Sequence, residues 1–275
     1  MTHSLFGGLG HPVRKTQRRA TVLVTVVAMI AVAVVFLRAQ QPTSSAPTCV
    51  VTGPSGRFRV DVSQAANATT IAAVGKRQGL QDHAVTVALV ASLQESKLHN
   101  LDHGDRDSVG LFQQRPSQGW GSRSKLLVPR QAAAAFYGAL VQVPGWADMA
   151  VGDAAQLVQR SAAPDAYVPW EAEGRALAEA LTGEAPAGLT CQFPVPARPT
   201  ATGSLTSAVA SELGSPALGA SLAAARGWVV ASWLVGHAYT YRITSVSFAG
   251  LRWTPSAEKW EPRLPVVSQV QLDLP

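Results

Sequence analysis

The sequence predicts a mainly α-helical domain that follows one N-terminal transmembrane helix and precedes a small α+β domain. Three observations support this fold class. An uncharged apolar stretch fills residues 20–37, helical periodicity dominates residues 49–191, and strand-like segments rich in β-branched residues follow within residues 205–275. Hydrophobic residues make up 47% of the chain and charged residues 15%, a composition that excludes an intrinsically disordered protein.

Residues 20–37 are predicted to anchor the protein in a membrane. The stretch would form a helix of roughly 27 Å, close to the ~30 Å hydrocarbon core of a bilayer. Residues 1–19 contain Arg14, Lys15, Arg18 and Arg19, which would keep this segment in the cytoplasm. A cleaved signal peptide has a similar layout and is the alternative, although its apolar region usually spans only ~7–15 residues. In both cases the remaining chain is expected outside the cytoplasm.

The formal net charge of +6 comes almost entirely from the N-terminal segment. Residues 1–38 hold five basic and no acidic residues, whereas the remainder holds 18 basic and 17 acidic residues. A basic groove for phosphates is therefore not expected, which argues against a nucleic-acid partner. The sequence also lacks a phosphate-binding loop, a nucleotide fingerprint and a metal-ligand motif, so neither a cofactor nor a metal ion is predicted.

The two cysteines, Cys49 and Cys191, mark the ends of the predicted helical domain. In an oxidising compartment they can form one disulfide within the chain, and this bond would fasten the two ends of the domain together. Two polar, proline-containing stretches, residues 38–48 and 192–204, are interpreted as linkers. They would separate the helical domain from the anchor and from an accessory domain in residues 205–275.

Glu95 is the strongest candidate for a catalytic group. Asp82 is predicted to cap a helix with apolar residues at four-residue spacing, and Glu95 falls at the C-terminal end of that helix. Partial burial and the negative end of the helix dipole should both raise the pKa of its carboxyl. A carboxyl that stays protonated near neutral pH can protonate a glycosidic oxygen. Alone, Glu95 would be interpreted as an ordinary exposed residue at a helix end.

The residues that follow Glu95 resemble a known family. The pair Glu-Ser, a polar loop with a serine, and then Gly-Leu-Phe-Gln have the motif order of lysozyme-like lytic transglycosylases. The matching residues are Glu95, Ser96, Ser108, Gly110, Leu111, Phe112 and Gln113. The family usually has Met at the Phe112 position. Together with the downstream segment AAQLVQRSAAPDAYVPW, the chain also resembles bacterial wall-associated lysozyme-like proteins over residues 55–185.

This resemblance implies a bacterial protein that acts on the glycan strands of peptidoglycan, with Glu95 as the catalytic acid/base. With the anchor predicted at residues 20–37, it would be a single-pass protein of the cell membrane. The resemblance also implies a sugar cleft, whose candidate residues are Ser96, Ser108, Gly110, Gln113 and Gln114. The third family motif is usually Ala-Tyr-Asn, and Tyr167 matches its second position. We expect Tyr167 to bond to Glu95 or the sugar, or else to be a half-buried tyrosine. Trp120 is predicted to stack on a sugar ring or to pack in the core.

The loop acids Asp102, Asp105 and Asp107 bear on the type of reaction. Hydrolysis needs a second carboxylate, whereas lytic transglycosylases use the C6 hydroxyl of the substrate and leave a 1,6-anhydromuramic end. The segment around Asp105 resembles a part of goose-type lysozymes that holds an auxiliary acid, so Asp105 joins the candidate catalytic set. Arg115 stands where that family has a further acid. The three aspartates are otherwise explained as a solvated turn. We therefore predict lytic cleavage of the MurNAc–GlcNAc β-1,4 bond by a single Glu.

A catalytically inactive peptidoglycan-binding or scaffold protein is the alternative prediction, because the third motif is incomplete and a further unit is appended. The C-terminal unit resembles accessory domains of bacterial envelope proteins, so envelope proteins are its candidate partners. Its tryptophans, among them Trp228, Trp233 and Trp253, are expected in the core or on a binding face. His237 is expected to be a packed helix residue.

Overall fold

A computed structural model of the protein describes residues 46–161, 164–199, 203–215 and 217–275. The N-terminal part of this region contains two strands and six α-helices: β1 (Thr48–Gly53), β2 (Gly56–Asp61), α1 (Val62–Arg77), α2 (Asp82–Ser96), α3 (Arg123–Leu126), α4 (Pro129–Leu140), α5 (Val151–Gln159) and α6 (Glu171–Thr182). Short 3-10 helices occur at Pro116–Gln118, Trp146–Asp148 and Pro164–Trp170.

The C-terminal part adds five strands and three α-helices. These are β3 (Leu189–Gln192), α7 (Leu205–Leu213), α8 (Ala224–Gly236), α9 (Ala238–Tyr241), β4 (Ser245–Phe248), β5 (Leu251–Trp253), β6 (Glu261–Pro262) and β7 (Gln271–Asp273). The strands form two antiparallel sheets with the orders β2-β1-β3 and β6-β5-β4-β7.

The first sheet brings the two cysteines together. β1 is its central strand, and the register places Cys49 directly opposite Cys191 of β3. The two residues form a disulfide, as the sequence predicts, and both are buried. Because 142 positions separate them in the chain, the bond closes a loop that contains all of α1 to α6.

A capping box explains where α1 begins, whereas the start of α2 has no side-chain cap. The Asp61 carboxylate accepts hydrogen bonds from the backbone N–H groups of Ser63 and Gln64, and the Gln64 side chain accepts from the Asp61 N–H. The predicted capping role of Asp82 is wrong. The N-cap of α2 is Gln81, and Asp82 is the first helical residue, with its carboxylate 2.5 Å from Lys76 Nζ.

α2 is the central helix of the first part and carries Glu95 in its last turn. Residues 84–93 are buried on every side of the helix, which packs against α1, α4, α5 and α6. Gly174 of α6 permits a close approach, because a Cβ atom at this position would collide with the side chain of Val90. The helix ends where Lys97 and Leu98 adopt positive φ angles of 54° and 61°.

The C-terminal elements pack directly against the first part. α8 is almost entirely buried and contacts α1, α6, β3 and β4. The indole N–H of Trp253 donates to the carbonyl of Cys191 at 3.2 Å, and that of Trp260 donates to Leu189 at 2.9 Å. All four tryptophans of the C-terminal part, Trp228, Trp233, Trp253 and Trp260, are core residues, and Trp253 and Trp260 attach this part to the first sheet.

A buried polar network joins α1, α7 and α8. The Glu212 carboxylate accepts hydrogen bonds from Thr70 Oγ1 and from the indole of Trp233, each at 2.7 Å. His237 stacks on Trp233 with ring centroids 4.0 Å apart, and burial lowers the pKa of its imidazole. His237 is a packed residue, as expected, and it lies just after the end of α8.

The predicted fold class is wrong. Nine α-helices and two sheets make up the described residues, with about 48% helix and 14% strand, and the described chain from residue 46 onward belongs to one compact unit. The helical core thus includes α8, and the sheet that contains the disulfide supports the C-terminal tryptophans. Within these residues no helix is long and apolar enough to cross a membrane. The predicted anchor, residues 20–37, lies outside the described residues.

Replacing Cys49 and Cys191 together by Ser should lower the free energy of unfolding by about 2–5 kcal/mol, because the unfolded chain would regain the freedom that the loop closure removes. Urea denaturation of the full chain, followed by tryptophan fluorescence, measures this change. A thiol reductant should bring the wild type to the stability of the variant and leave the variant unchanged. Equal stability of wild type and variant would contradict a structural role of the bond.

Candidate active site

Glu95 lies in the last turn of α2, with its carboxyl partly buried. Burial is the largest influence on this group and raises its pKa above the usual range. Three interactions lower this pKa without cancelling the effect of burial. They are the hydrogen bonds from Tyr167 and Gln159 and the charge of Lys97. The C-terminal end of a helix also disfavours a negative charge. The carboxyl can therefore hold a proton at a higher pH than an exposed Glu.

Tyr167 makes a direct hydrogen bond to Glu95. Its hydroxyl donates to Glu95 Oε1 at 2.8 Å, and its side chain is fully buried. Burial raises the pKa of Tyr167, and the adjacent carboxylate raises it further. The phenol therefore stays protonated and remains a donor. This geometry corresponds to the bond between Tyr167 and Glu95 that is one of the interpretations of the sequence.

Gln159 is a site residue that the sequence analysis missed. It is the last residue of α5, and its side-chain amide bonds to Glu95 and donates to the carbonyl of Phe112 at 2.8 Å. The only sequence signal is its place in the segment AAQLVQRSA, three residues after Gln156. An amide at this position connects α5, the loop after α2 and the carboxyl of Glu95.

Lys97 lies between two partly buried carboxyl groups. Its ammonium group is 3.8 Å from the ring centroid of Trp170, whose indole donates to Gln94 Oε1 at 2.7 Å. Burial lowers the pKa of Lys97, while the charges of Glu95 and Glu173 oppose this shift. Burial also raises the pKa of Glu173, against the effect of Lys97. The sequence analysis named none of Lys97, Trp170 and Glu173.

Ser96 holds the Gly-Leu-Phe-Gln segment against α2. Its hydroxyl donates to the carbonyl of Leu111 at 2.7 Å, and Ser92 donates to the same oxygen at 3.1 Å. Gly110 has a φ of +78°, and a Cβ atom there would collide with the carbonyl of Leu126, so only glycine fits this position. Ser96 and Gly110 thus place the loop beside Glu95.

Ser108 and Gln113 bond to each other inside the loop, with Ser108 Oγ donating to Gln113 Oε1 at 3.1 Å. Gln113 Nε2 also lies 3.2 Å from the carbonyl of Gly110. Gln114 is 1% exposed, and its side-chain amide donates to the carbonyl of Ala132 in α4 at 3.2 Å. The side chains of these three candidate sugar-binding residues therefore form hydrogen bonds with other groups of the protein.

The three loop aspartates differ in their surroundings. The Asp107 carboxylate accepts a hydrogen bond from Arg115 Nε at 2.8 Å and others from Ser117, and these contacts hold its pKa far below the usual range. Asp102 pairs with His103 at the surface. The Asp105 side chain is 91% exposed, and its carboxylate lies 3.8 Å from Arg106 Nε. Arg115, which replaces an acid of the goose-type pattern, is thus the partner of Asp107.

A cavity of about 660 Å³, which we call the first cavity, adjoins the Glu95 site through Gln159. Its lining includes Trp120, Gln142, Val143, Leu157, Gln159 and Arg160. Trp120 is partly buried and packs against the core with part of its surface while it contributes to the cavity wall. Both predicted settings of Trp120, core packing and a ligand surface, are therefore compatible with its position.

The described residues contain no group of three or more His, Cys, Asp or Glu side chains that could hold a metal ion. No protein-family model matches the chain, and no curated protein matches its sequence.

Replacing Tyr167 by Phe should raise the pKa of Glu95 further. The phenol donates to the carboxylate and so stabilises the charged form, and its removal shifts the equilibrium towards the protonated form. Carboxyl ¹³C NMR titration of the full chain in detergent measures this change. Tyr137→Phe is the matched control, because Tyr137 is also fully buried but donates to the carbonyl of Ile71. A Glu95 pKa that is unchanged or lower in Tyr167→Phe would contradict the assigned hydrogen bond.

Proposed function

We propose that this protein cleaves the glycan strands of peptidoglycan at the MurNAc–GlcNAc β-1,4 bond by the lytic reaction, with Glu95 as a single acid/base. The observation that carries this proposal is the partly buried Glu95 carboxyl, which has a raised pKa and is bonded to Tyr167 beside a cavity. The order of the Glu-Ser and Gly-Leu-Phe-Gln motifs supports the choice of substrate. The disulfide supports an oxidising compartment outside the cytoplasm.

In the proposed reaction, Glu95 starts protonated and donates its proton to the glycosidic oxygen as the bond from this oxygen to C1 of the muramic sugar breaks. The resulting carboxylate accepts the proton of the C6 hydroxyl of the same sugar, while the C6 oxygen forms a bond to C1. One strand then ends in a 1,6-anhydro ring and the other in a free 4-hydroxyl. Glu95 is protonated again, so the reaction consumes no water.

Tyr167 is suited to both states of this cycle. Its hydrogen bond to Glu95 Oε1 stabilises the carboxylate, while burial favours the protonated acid. The two effects act in opposite directions on the pKa of Glu95, and the net result is a raised pKa, which favours the protonated form that a general acid needs. Gln159 also lowers the pKa of this carboxyl, and Gln159 is one of the residues that line the first cavity.

The surroundings of Asp105 support a reaction without a second carboxylate. Hydrolysis would need an acid that holds a water molecule or attacks the sugar within a few ångströms of the bond. With 91% of its side chain exposed, Asp105 acts in a medium of high dielectric constant, where a charge has little effect on a distant centre. Asp105 is therefore not the second carboxylate that hydrolysis would need.

A non-catalytic peptidoglycan-binding or scaffold protein is the second candidate function. It is favoured by the internal hydrogen bonds of Ser96, Ser108, Gln113 and Gln114, because these side chains are engaged without a ligand. In that case the same packing would preserve a binding surface, and Glu95 would be dispensable.

Glu95→Gln should lower the rate of strand cleavage by about 10²–10⁴-fold, the usual contribution of a general acid/base. The assay incubates the full chain in detergent with purified glycan strands and analyses the fragment ends by mass spectrometry. The wild type should yield 1,6-anhydro ends. Because the variant removes a partly buried carboxyl with a raised pKa, we expect no loss of stability at neutral pH, and thermal unfolding checks this.

Glu173→Gln is the matched control, since Glu173 is also a partly buried carboxyl with a pKa raised by burial, and it should retain activity within tenfold of the wild type. Asp105→Asn should likewise change the rate less than tenfold, as expected for an exposed charge. Full activity of Glu95→Gln, or no cleavage by a folded wild type, would favour the non-catalytic function. Reducing ends in place of anhydro ends would indicate hydrolysis.

A further inference from the structure

The first cavity continues into a second cavity of about 480 Å³. Four residues line both cavities, namely Gln142, Val143, Leu157 and Arg160. The volumes of the two cavities lie within the range of ~300–1,000 Å³ that is typical of ligand sites. They are therefore adjacent parts of one groove, which begins beside Glu95 at Gln159 and passes Arg160.

The second cavity has walls unlike those expected for a neutral sugar. Most of its lining is apolar, and it includes Val143, Pro144, Met149 and Leu157. No aromatic ring is among the described residues that line it, so it offers no surface for stacking a sugar ring. Its polar lining residues are Gln142, Gln156 and Arg160. Apolar walls with amide groups suit a short peptide that has small aliphatic side chains.

Arg160 is positioned to bind an anion in this groove. Its backbone is fixed at the end of α5, where it has a φ of 52° and its N–H donates to the carbonyl of Gln156 at 2.7 Å. Among the described residues, no carboxylate lies within 4.0 Å of its guanidinium group and no hydrogen bond engages it. None of the described residues that line either cavity is acidic. A guanidinium without a partner favours a carboxylate, which it can bind through two parallel hydrogen bonds.

We propose that the groove binds the carboxylate-bearing peptide attached to the muramic sugar, with Arg160 bound to a peptide carboxylate and the second cavity occupied by small aliphatic side chains. This inference rests on the proposed function, because the groove begins beside Glu95. A strand placed with its glycosidic bond at Glu95 would direct the peptide along the groove. The protein would thus prefer peptide-bearing strands over strands without peptides.

Equilibrium binding to two soluble glycan strands of equal length tests this preference. One strand carries its peptides, and an amidase has removed the peptides from the other. The full chain in detergent carries Glu95→Gln, so that neither strand is cleaved. Because Arg160 is exposed, we expect the peptide-bearing strand to bind about two- to fivefold more tightly, the effect of one ion pair at a protein surface.

Adding Arg160→Gln should reduce this preference to about one, and Arg160→Lys should retain part of it because the positive charge is kept. Arg130→Gln is the matched control. It removes the same charge from an exposed position on α4 that lines neither cavity, and should leave the preference unchanged.

Equal binding of the two strands would overturn the proposal. Removal of the peptides exposes the lactyl carboxylate of each muramic sugar, and equal binding would mean that this group accounts for any contact with Arg160. An equal loss in Arg130→Gln, or no binding of either strand, would also overturn it. Failure of the proposed function has a different result: the wild type would release no fragments while the preference for peptide-bearing strands and its dependence on Arg160 persisted.

Discussion

The hydrogen bond from Tyr167 to Glu95 is the contact on which the candidate site depends. Burial and the C-terminal end of α2 both disfavour a charged carboxylate at this position. The phenol, whose oxygen lies 2.8 Å from Glu95 Oε1, stabilises the charged form and so lowers the pKa against the effect of burial. Without such a donor the pKa of Glu95 would be higher, and the carboxyl would release its proton less readily. Without burial the pKa would be that of an ordinary exposed carboxyl. The chemistry therefore depends on a balance between these two effects.

The surrounding hydrogen bonds explain why the motifs occur in this order. Ser96, directly after Glu95, donates to the carbonyl of Leu111, and Gln159 donates to the next carbonyl, that of Phe112. Two consecutive backbone acceptors thus connect the end of α2 with the end of α5. Gly110 lets this loop approach α3, as its Cβ-free backbone lies against the carbonyl of Leu126. The loop residues act as the frame of the site, while Glu95, Tyr167 and Gln159 form its polar centre.

The local features of the site could be predicted from the sequence, whereas its long-range partners could not. Helical spacing locates Glu95 at a helix end, and the number of cysteines predicts the disulfide between Cys49 and Cys191. Gln159 and Trp170 reach the site through tertiary packing, which leaves no periodic signal in the sequence. The same limitation explains the incorrect fold class. The sequence suggested a break after β3, but the indoles of Trp253 and Trp260 donate to carbonyls of that strand, so the C-terminal part belongs to the same unit.

In the proposed reaction, one acid/base cleaves the strand without using water. The most direct test is digestion of glycan strands by the full-length wild type in water labelled with a heavy oxygen isotope, followed by mass spectrometry of the new fragment ends. We predict that no label enters the muramic ends, because the C6 oxygen of the sugar forms the new bond to C1. Incorporation of one labelled oxygen for each cleaved bond would contradict the account and would require a second group that activates water.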